Sequence, residues 1–359
     1  MRDGPAVEPP SEPDPAAHAA NGIRVGDPAD YVVLFLDFMG QKAHLRRWEQ
    51  LSAECAGTFD NGGKWQPNDP RGLAEAIGKS AGVVATLFCS ARDRLLGELV
   101  YRQLNTAPDF QLKGVQFSDI VVLYGKMDPR AHVGPRGLFL IHSAFLAASA
   151  VMFSALAMEA PARGAITIGQ AVEGASPVSP SASNAGAGSP SGQRASESFF
   201  YGPVLGRAYE LESRLADYPR ILVDWGVVDY LNNLQLVSPG FREEDFDANY
   251  RDTLEKAAAL VRGGVDDDES VALGGFRVLD WAGRSACSMQ TSADDRKFFA
   301  KQLAEALESA ERIQREATGR HAQTGDQEQL RVAGKYARLV RYLHPRVVLW
   351  ADRGASGRT

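Results

Sequence analysis

One short run of apolar and aromatic residues ends abruptly at a carboxylate. Residues 31–36 are Tyr-Val-Val-Leu-Phe-Leu, and Asp37 follows them directly. The run is short and rich in β-branched and aromatic residues, which predicts a buried central strand rather than a helix. An ionised carboxylate at the end of such a strand is costly without a partner. Asp37 therefore either caps a helix that begins near Gln41 or is a metal ligand at the edge of a sheet.

Further strands are predicted by the same kind of pattern. Residues 110–119 lead into the β-rich run Ile120–Tyr124, and the turn-forming pair Ser118-Asp119 between them predicts a tight hairpin. Segments 163–169 and 218–224 are predicted as two more strands. Asp119 would then lie at a hairpin tip, where it meets Asp37 if the strands are neighbours. The alternative is that Asp119 is only a turn residue.

Helical spacing of apolar positions marks most of the remaining chain. The stretch Gly137–Met158 contains His142 and several serines and alanines, and we interpret it as a buried helix rather than a membrane span. Asp266-Asp-Asp lacks the glycine and the terminal glutamate of a calcium loop and is predicted to be a solvated turn. The predicted helices cover residues 41–55, 72–104, 136–158, 203–212, 243–262, 293–318 and 327–343.

Composition shifts divide the chain into an ordered core with two tails. Residues 1–29 are rich in Pro, Ala, Asp and Glu and are predicted to be a disordered tail. A core domain is expected over 30–228, interrupted by a loop of Gly, Ala, Ser and Pro at 171–198. A mostly helical extension over 229–348 is expected to pack on the core, and a second disordered tail over 349–359.

Charge and cysteine content exclude several classes of function. The formal net charge of the 359 residues is −6, and no extended basic run is present, so a general nucleic-acid binder is not expected. The three cysteines are far apart and form no CxxC pair, which disfavours zinc sites and disulfide frameworks. The N-terminus lacks an apolar signal core. We expect a cytoplasmic protein without stable membrane insertion.

Two aspartates without a neighbouring histidine or cysteine suit a hard cation such as Mg²⁺ or Mn²⁺. The segment Phe38-Met39-Gly40 leads into the start of a predicted helix, whose free N–H groups attract phosphate. A nucleoside triphosphate is therefore a natural ligand. Two cations held by two shared aspartates could activate an attacking hydroxyl and stabilise a leaving phosphate.

Six segments follow one another in a fixed order along the chain. They are Phe35-Leu-Asp37-Phe-Met-Gly40, Ser118-Asp119, Arg163-Gly-Ala-Ile-Thr-Ile-Gly169, Tyr201-Gly-Pro-Val-Leu-Gly-Arg-Ala-Tyr-Glu-Leu-Glu212, Tyr218-Pro-Arg-Ile-Leu-Val-Asp224 and Lys335-Tyr-Ala-Arg-Leu. This ordered set resembles the class III nucleotide cyclases. More narrowly, the set is similar to the bacterial pyrimidine cyclases of Pycsar anti-phage defence, over roughly residues 30–345.

The resemblance implies an α+β, ferredoxin-like cyclase domain with an antiparallel central sheet flanked by helices, and additional C-terminal helices. Asp37 and Asp119 would bind two Mn²⁺ or Mg²⁺ ions per site, with the Phe38 carbonyl completing one metal shell. The backbone of Phe38, Met39 and Gly40 would hold phosphates. The ribose 3′ hydroxyl would attack the α-phosphate and release pyrophosphate. Such cyclases work as head-to-tail homodimers with shared active sites.

Several positions depart from the purine cyclases. Gly206 and Glu210 stand where those enzymes carry an Asn and an Arg that steady the ribose and the transition state. Arg207 on the same helix either supplies the missing positive charge or forms a surface ion pair. The relatives that cyclise pyrimidines share the Ala-Tyr-Glu-Leu-Glu segment, so the departure is compatible with activity.

The resemblance also implies where the base is read. Lys113 matches a base-reading lysine, although an exposed strand lysine is the simpler interpretation. The second base-reading position falls on Phe199, and an aromatic residue there argues against purine selection because purine edges need specific hydrogen-bond partners. Tyr201 is included as a further substrate contact.

The expected activity is the conversion of UTP or CTP to 3′,5′-cyclic UMP or CMP and pyrophosphate. The product would act as a second messenger in anti-phage defence, through a separate effector protein that senses it. The alternative is a catalytically inactive relative that keeps the fold and binds a nucleotide as a sensor.

Overall fold

The computed structural model describes residues 24–38, 58–59, 65–66, 71, 113–117, 120–127, 135–157, 161–177, 196–237, 248–262, 276–283 and 293–356. The helical predictions over 41–55 and 72–104 lie outside these residues, as does the Asp266 turn. The strands are β1 (Arg24–Val25), β2 (Ala29–Phe38), β3 (Thr58–Phe59), β4 (Trp65–Gln66), β5 (Lys113–Phe117), β6 (Ile120–Lys126), β7 (Ala162–Pro177), β8 (Ser196–Tyr201), β9 (Ile221–Asp224) and β10 (Phe276–Val278). The helices are α1 (Pro135–Ala157), α2 (Pro203–Leu215), α3 (Trp225–Val237), α4 (Ala248–Arg262), α5 (Ala293–Thr324) and α6 (Gln327–Ser356).

A mixed sheet forms the centre of the fold, with the strand order β10-β9-β7-β2-β6-β5. Strand pairs are antiparallel except β7–β9, which is parallel. Strands β1 and β8 pair with the far end of β7, and β3 pairs with β4 in a separate small sheet. The order β7-β2-β6-β5, with α1 joining β6 to β7, is the antiparallel order of a ferredoxin-like domain. The α+β prediction with an antiparallel centre and C-terminal helices is confirmed.

Alternation along β2 divides its side chains between the two faces of the sheet, because successive residues of a strand point to opposite sides. Val32, Leu34, Leu36 and Phe38 belong to the larger hydrophobic core, with residues of α1, α3, α4, α5 and α6. Tyr31, Val33 and Phe35 belong to a second core with residues of α2. We call this second side the α2 face. Asp37 continues the odd-numbered series and therefore lies on the α2 face.

Helix α1 is the most apolar helix of the described chain. Within it, Gly137–Leu156 is long and apolar enough to cross a membrane by length and composition, with a mean hydropathy of 1.9. The fold buries 89% of that stretch. Burial of this kind is what the core helix of a globular domain shows.

The C-terminal helices are attached to the core by a buried polar cluster. Asp280 follows β10, and its Oδ1 accepts hydrogen bonds from Arg346 Nε at 2.9 Å, Arg346 Nη2 at 2.7 Å and the Tyr342 hydroxyl at 3.0 Å. Trp350 is fully buried and donates from Nε1 to the Ala282 carbonyl at 2.8 Å. A Cβ on Gly283 would overlap the Asp280 carboxylate, so only glycine leaves room for it.

Several predicted boundaries are wrong. The C-terminal tail predicted over 349–359 is helical as far as Ser356, because Trp350 anchors the last turns. The last helix, predicted over 327–343, continues as α6 through Pro345 to Ser356. Residues 24–25 of the predicted N-terminal tail form β1 and pair with β7. Within the loop predicted over 171–198, residues 172–177 belong to β7 and pair with β8, which begins at Ser196.

Candidate active site

Asp37 occupies the end of β2 and has a strand neighbour on each side. Its pairing partners are Ile120, the first residue of β6, and Arg163, near the start of β7. Its side chain is 20% exposed, so it is partly buried but accessible to solvent. The structure therefore has Asp37 at the end of a central strand, as predicted.

The Asp37 carboxylate forms an ion pair with Arg163. Asp37 Oδ2 accepts from Arg163 Nε at 3.0 Å and from Nη2 at 2.8 Å. Directly opposite residues of an antiparallel pair share a face and lie close enough for their side chains to interact. Gly164, the next residue, packs so closely on β2 that a Cβ there would collide with the Phe35 carbonyl. The register that pairs Arg163 with Asp37 therefore depends on a glycine beside it.

Arg163 is also held by the C-terminal part of α2. Its Nη1 donates to the Ala216 carbonyl at 3.2 Å, and its Nε lies 2.6 Å from Glu212 Oε1. The Nε–H is directed at Asp37, so the approach to Glu212 is a charge contact. Glu212 is only 2% exposed. One guanidinium thus lies between two carboxylates, one on β2 and one on α2.

Arg163 and Glu212 were not assigned a role from the sequence, although both lie in the segments that carry the resemblance. In the sequence, Arg163 stands at the start of an apolar strand and is followed by Gly164. This pattern could not identify Asp37 as the partner of Arg163, because the two residues are 126 positions apart and meet only through strand register.

The second predicted metal ligand, Asp119, lies outside the described residues, as do Met39, Gly40 and Ser118. The strand ends that flank Ser118-Asp119 are described: Phe117 pairs with Ile120, and Ile120 pairs in turn with Asp37. The hairpin prediction is confirmed by this pairing. Because consecutive Cα atoms are about 3.8 Å apart, the chain connects Asp119 directly to the strand partner of Asp37.

Lys113 lies on the same face of the sheet as Asp37, the α2 face. Lys113 is opposite Tyr124, and Tyr124 is opposite Val33, four residues before Asp37. Its Nζ forms a 2.6 Å ion pair with Glu173 Oε2, and both side chains are partly exposed. The predicted base-reading lysine therefore already has an acidic partner.

An aromatic cluster lies beside this ion pair. The rings of Tyr124 and Phe200 are stacked with centroids 4.0 Å apart, and Tyr31 meets Phe200 edge-to-face at 5.2 Å. Burial, together with the negative charge of Glu173, raises the pKa of Tyr31 to about 12, so its hydroxyl stays protonated. The aromatic residue that joins the cluster is Phe200, whereas the base-reading prediction falls on its neighbour Phe199, whose side chain is half-buried.

Arg207 lies in an ion-pair cluster at the surface. Its Nη2 is 3.0 Å from Asp224 Oδ1, at the end of β9, and its Nη1 is 3.7 Å from Glu210 Oε2. The side chain is 44% exposed. This is the surface ion pair that the sequence left open as the alternative to a catalytic role.

An apolar cleft of about 670 Å³ opens on the α2 face next to Asp37. Tyr201 and Tyr209 contribute exposed aromatic surface to it, at 73% and 56% exposure. Gly206, one of the two positions that depart from the purine cyclases, also lines the cleft. Its wall includes Phe35, Ile120, Val122, Pro203 and Leu205.

The donor groups near Asp37 are of the kind that a hard cation prefers. The described residues contain no group of three or more His, Cys, Asp or Glu side chains arranged to hold a metal. Asp37 and Glu212 nevertheless share one cation, the Arg163 guanidinium. Carboxylate oxygens that already hold a positive charge at this strand end fit the donor chemistry of Mg²⁺ or Mn²⁺.

Comparison with known proteins gives a structural likeness and no sequence match. No protein-family model matches the chain, and no curated protein is significantly similar to it. Among solved structures, it is similar to the adenylyl cyclase CyaB from P. aeruginosa, at 12% identity and a TM-score of 0.31, over 58% of this chain and 83% of that one. It is also similar to a bacterial light-regulated adenylyl cyclase, at 12% identity and a TM-score of 0.28, over 57% and 45%. Similarity at this level carries no argument about activity.

Proposed function

We propose that this protein is a nucleotide cyclase that converts UTP or CTP to the 3′,5′-cyclic monophosphate and pyrophosphate. Its product would serve as a cytoplasmic second messenger in anti-phage defence, read by a separate effector protein. The single observation that carries the proposal is the pairing of Asp37 with Ile120, because Ile120 follows Asp119 directly in the chain. This register supports two carboxylates at one edge of a ferredoxin-like sheet.

Asp37, Asp119 and the Phe38 carbonyl would hold two Mn²⁺ or Mg²⁺ ions. When bound, such ions lower the pKa of an attacking hydroxyl and neutralise charge on a leaving phosphate. The backbone of Phe38, Met39 and Gly40 would bind the triphosphate.

Lys113 and the aromatic cluster formed by Tyr31, Tyr124 and Phe200 support a base site on the same face as Asp37. Along the strands, the four residues from Val33 to Asp37 span about 13 Å. Tyr201, at the mouth of the cleft, is retained as a substrate contact. The choice of a pyrimidine rests on the resemblance to the Pycsar cyclases.

A homodimer is part of the proposal, and the apolar cleft supports it. Large exposed apolar patches on the surface of a protein usually mark interaction sites. The cleft borders Asp37 through Phe35 and Ile120, so a second copy seated there would contact both the cleft and the site. Shared active sites would follow from this geometry.

A catalytically inactive nucleotide sensor is the second candidate, and two observations favour it. Arg163 already neutralises Asp37. Arg207, the nearest substitute for the missing transition-state arginine, is paired with Asp224 and Glu210. A sensor would bind a nucleotide with these groups in place and release no pyrophosphate.

Incubation of the purified full-length protein with Mn²⁺ and each of the four nucleoside triphosphates separates these two candidates. We expect one cyclic pyrimidine monophosphate, from UTP or CTP, detected by chromatography and mass spectrometry together with stoichiometric pyrophosphate. The purine nucleotides serve as matched controls. A folded protein that forms no cyclic product from any of the four would refute the cyclase proposal, and nucleotide binding without turnover would favour the sensor.

The dimer is tested by Tyr209→Glu, which adds a charge at the cleft while leaving Asp37 untouched. We expect the dimer dissociation constant to rise by at least about 30-fold, because a buried charge at an interface hot spot costs 2 kcal/mol or more. Light scattering and sedimentation measure the oligomeric state, and cyclase activity should fall with dimer content.

Asn232→Glu is the matched control for this change. It adds the same charge at an exposed position of α3, which packs on the opposite face of the sheet. The control variant should remain dimeric and active. A Tyr209→Glu variant that dimerises like the unmodified protein would show that the cleft is not the interface.

A further inference from the structure

The Arg163 guanidinium forms an ion pair with the Asp37 carboxylate, and the proposed reaction needs that carboxylate for metal binding. Asp37 Oδ2 accepts two of its N–H groups, at 3.0 and 2.8 Å. A divalent cation at Asp37 would meet a full positive charge at hydrogen-bonding distance, and like charges so close repel strongly at a partly buried site. Metal binding at Asp37 is therefore in competition with Arg163.

Glu212 gives the guanidinium a second anionic partner. Its Oε1 lies 2.6 Å from Arg163 Nε, and it is almost completely buried. A buried carboxylate is costly unless it is paired, so Glu212 keeps the arginine close whether or not Asp37 is available. The Ala216 carbonyl, 3.2 Å from Nη1, anchors the same side chain at the end of α2.

These contacts define two positions for one positive charge. In the first, the guanidinium bridges Asp37 and Glu212, as in the structure. In the second, the guanidinium keeps its contacts with Glu212 and the Ala216 carbonyl, while the Asp37 carboxylate binds a divalent cation instead. Only a side-chain adjustment separates the two, because Glu212 and Ala216 hold the arginine from α2 and Asp37 approaches it from β2.

We propose that Arg163 is an internal counter-ion which holds Asp37 until a divalent cation replaces it, and that Glu212 is the positioning residue that retains Arg163 after the exchange. This inference rests on the proposed function, because it takes Asp37 as a metal ligand. It adds an exchange step that sets how tightly the metal binds, and it assigns roles to two residues outside the predicted site.

The test is direct Mn²⁺ binding to the full-length protein without nucleotide, followed by the electron paramagnetic resonance signal of free Mn²⁺. Arg163→Gln removes the competing charge and should tighten Mn²⁺ binding about tenfold, a usual size for coupling between sites. Among the described residues, Glu212→Gln leaves Asp37 as the one carboxylate partner of Arg163, and the change should weaken binding about tenfold. Changes of the Mn²⁺ affinity in opposite directions would support the exchange, because general damage to the site would weaken Mn²⁺ binding in both variants.

Two further variants make the roles specific. Arg163→Lys keeps the positive charge and should bind Mn²⁺ more nearly like the unmodified protein than Arg163→Gln does. If Glu212 acts through Arg163, the effect of Glu212→Gln should shrink markedly when it is measured in the Arg163→Gln background. Circular dichroism shows whether the Arg163→Gln variant folds. If it does not, the double variant replaces it in the comparison, because the double variant removes both charges of the ion pair together. The double variant should then bind Mn²⁺ more tightly than the unmodified protein.

Asp37→Asn separates failure of this inference from failure of the proposed function. If the unmodified protein binds Mn²⁺, Asp37→Asn abolishes binding and the Arg163 and Glu212 variants change nothing, the exchange is overturned while the metal site stands. Changes in the same direction for Arg163→Gln and Glu212→Gln also overturn it. If neither the unmodified protein nor the Arg163→Gln variant binds Mn²⁺, the metal assignment and the exchange are both overturned.

Discussion

Cyclic-nucleotide formation is expected to fall by at least about 1,000-fold in the Asp37→Asn variant, because the proposed function makes Asp37 a metal ligand and loss of such a ligand removes several kcal/mol of transition-state stabilisation. The amide has the shape of the carboxylate and lacks its charge, so the strand end should keep its packing. The measurement is the initial rate of cyclic UMP or CMP formation with saturating Mn²⁺. The same loss is expected for Asp119→Asn.

Asp30→Asn is the matched control for the Asp37 substitution. It makes the same chemical change near the other end of β2, seven residues away, where Asp30 pairs with Gln170. Its rate should stay within about twofold of the unmodified protein, as for ordinary surface changes. Activity that survives Asp37→Asn or Asp119→Asn would show that the metal assignment is wrong, even if the protein proves to be a cyclase.

The central strand and its carboxylate could be predicted from sequence because their signals are local. A β-branched and aromatic run that ends at Asp37 predicts β2, and the Ser118-Asp119 pair between two such runs predicts the β5–β6 hairpin. Both elements are present. The alternation of β2 then fixes the face on which Asp37 lies.

The side chains that contact Asp37 depend on how distant strands pair, and local sequence patterns do not reveal that register. Arg163 meets Asp37 only because β7 pairs with β2 in one register, and a shift by one residue would move it to the other face. The same reasoning applies to the predicted base-reading position, Phe199. A one-residue offset brings Phe200 rather than Phe199 onto Tyr124, so the predicted reader and the observed stacking partner are adjacent residues.

The C-terminal boundary was missed for a different physical reason. Residues 349–356 are Leu-Trp-Ala-Asp-Arg-Gly-Ala-Ser and give no strong helical pattern of their own. Their helix is stabilised by tertiary contacts, above all by Trp350 in the core, and tertiary packing commonly overrides local propensity. Sequence periodicity alone cannot reveal a docking site supplied by residues 280–283.

The buried cluster around Asp280 gives the largest expected effect on stability. Arg346→Met would leave the Asp280 carboxylate buried without its charged partner, and among the described side chains the Tyr342 hydroxyl would be its remaining hydrogen-bond donor. Removing one member of a buried ion pair costs about 3–5 kcal/mol. Chemical denaturation followed by far-ultraviolet circular dichroism measures the free energy of unfolding, and we expect a loss of this size at neutral pH.

Arg341→Met is the matched control, because Arg341 lies on the same helix with its side chain exposed. Its substitution should change the free energy of unfolding by less than about 0.5 kcal/mol. Adding Asp280→Asn to Arg346→Met should recover part of the loss, since the buried charge is then removed together with its partner.

Tyr342 makes this test sharper. Burial, with the charge of Asp280, raises the pKa of Tyr342 well above its usual value, so its hydroxyl remains a donor across the working pH range. The Tyr342 hydroxyl therefore stays neutral in the Arg346→Met variant and still donates its hydrogen bond to Asp280, without replacing the lost positive charge. Equal stability of the Arg346→Met and Arg341→Met variants would mean that α6 is held by Trp350 and its apolar neighbours alone, and that the ion pair adds orientation without net stability.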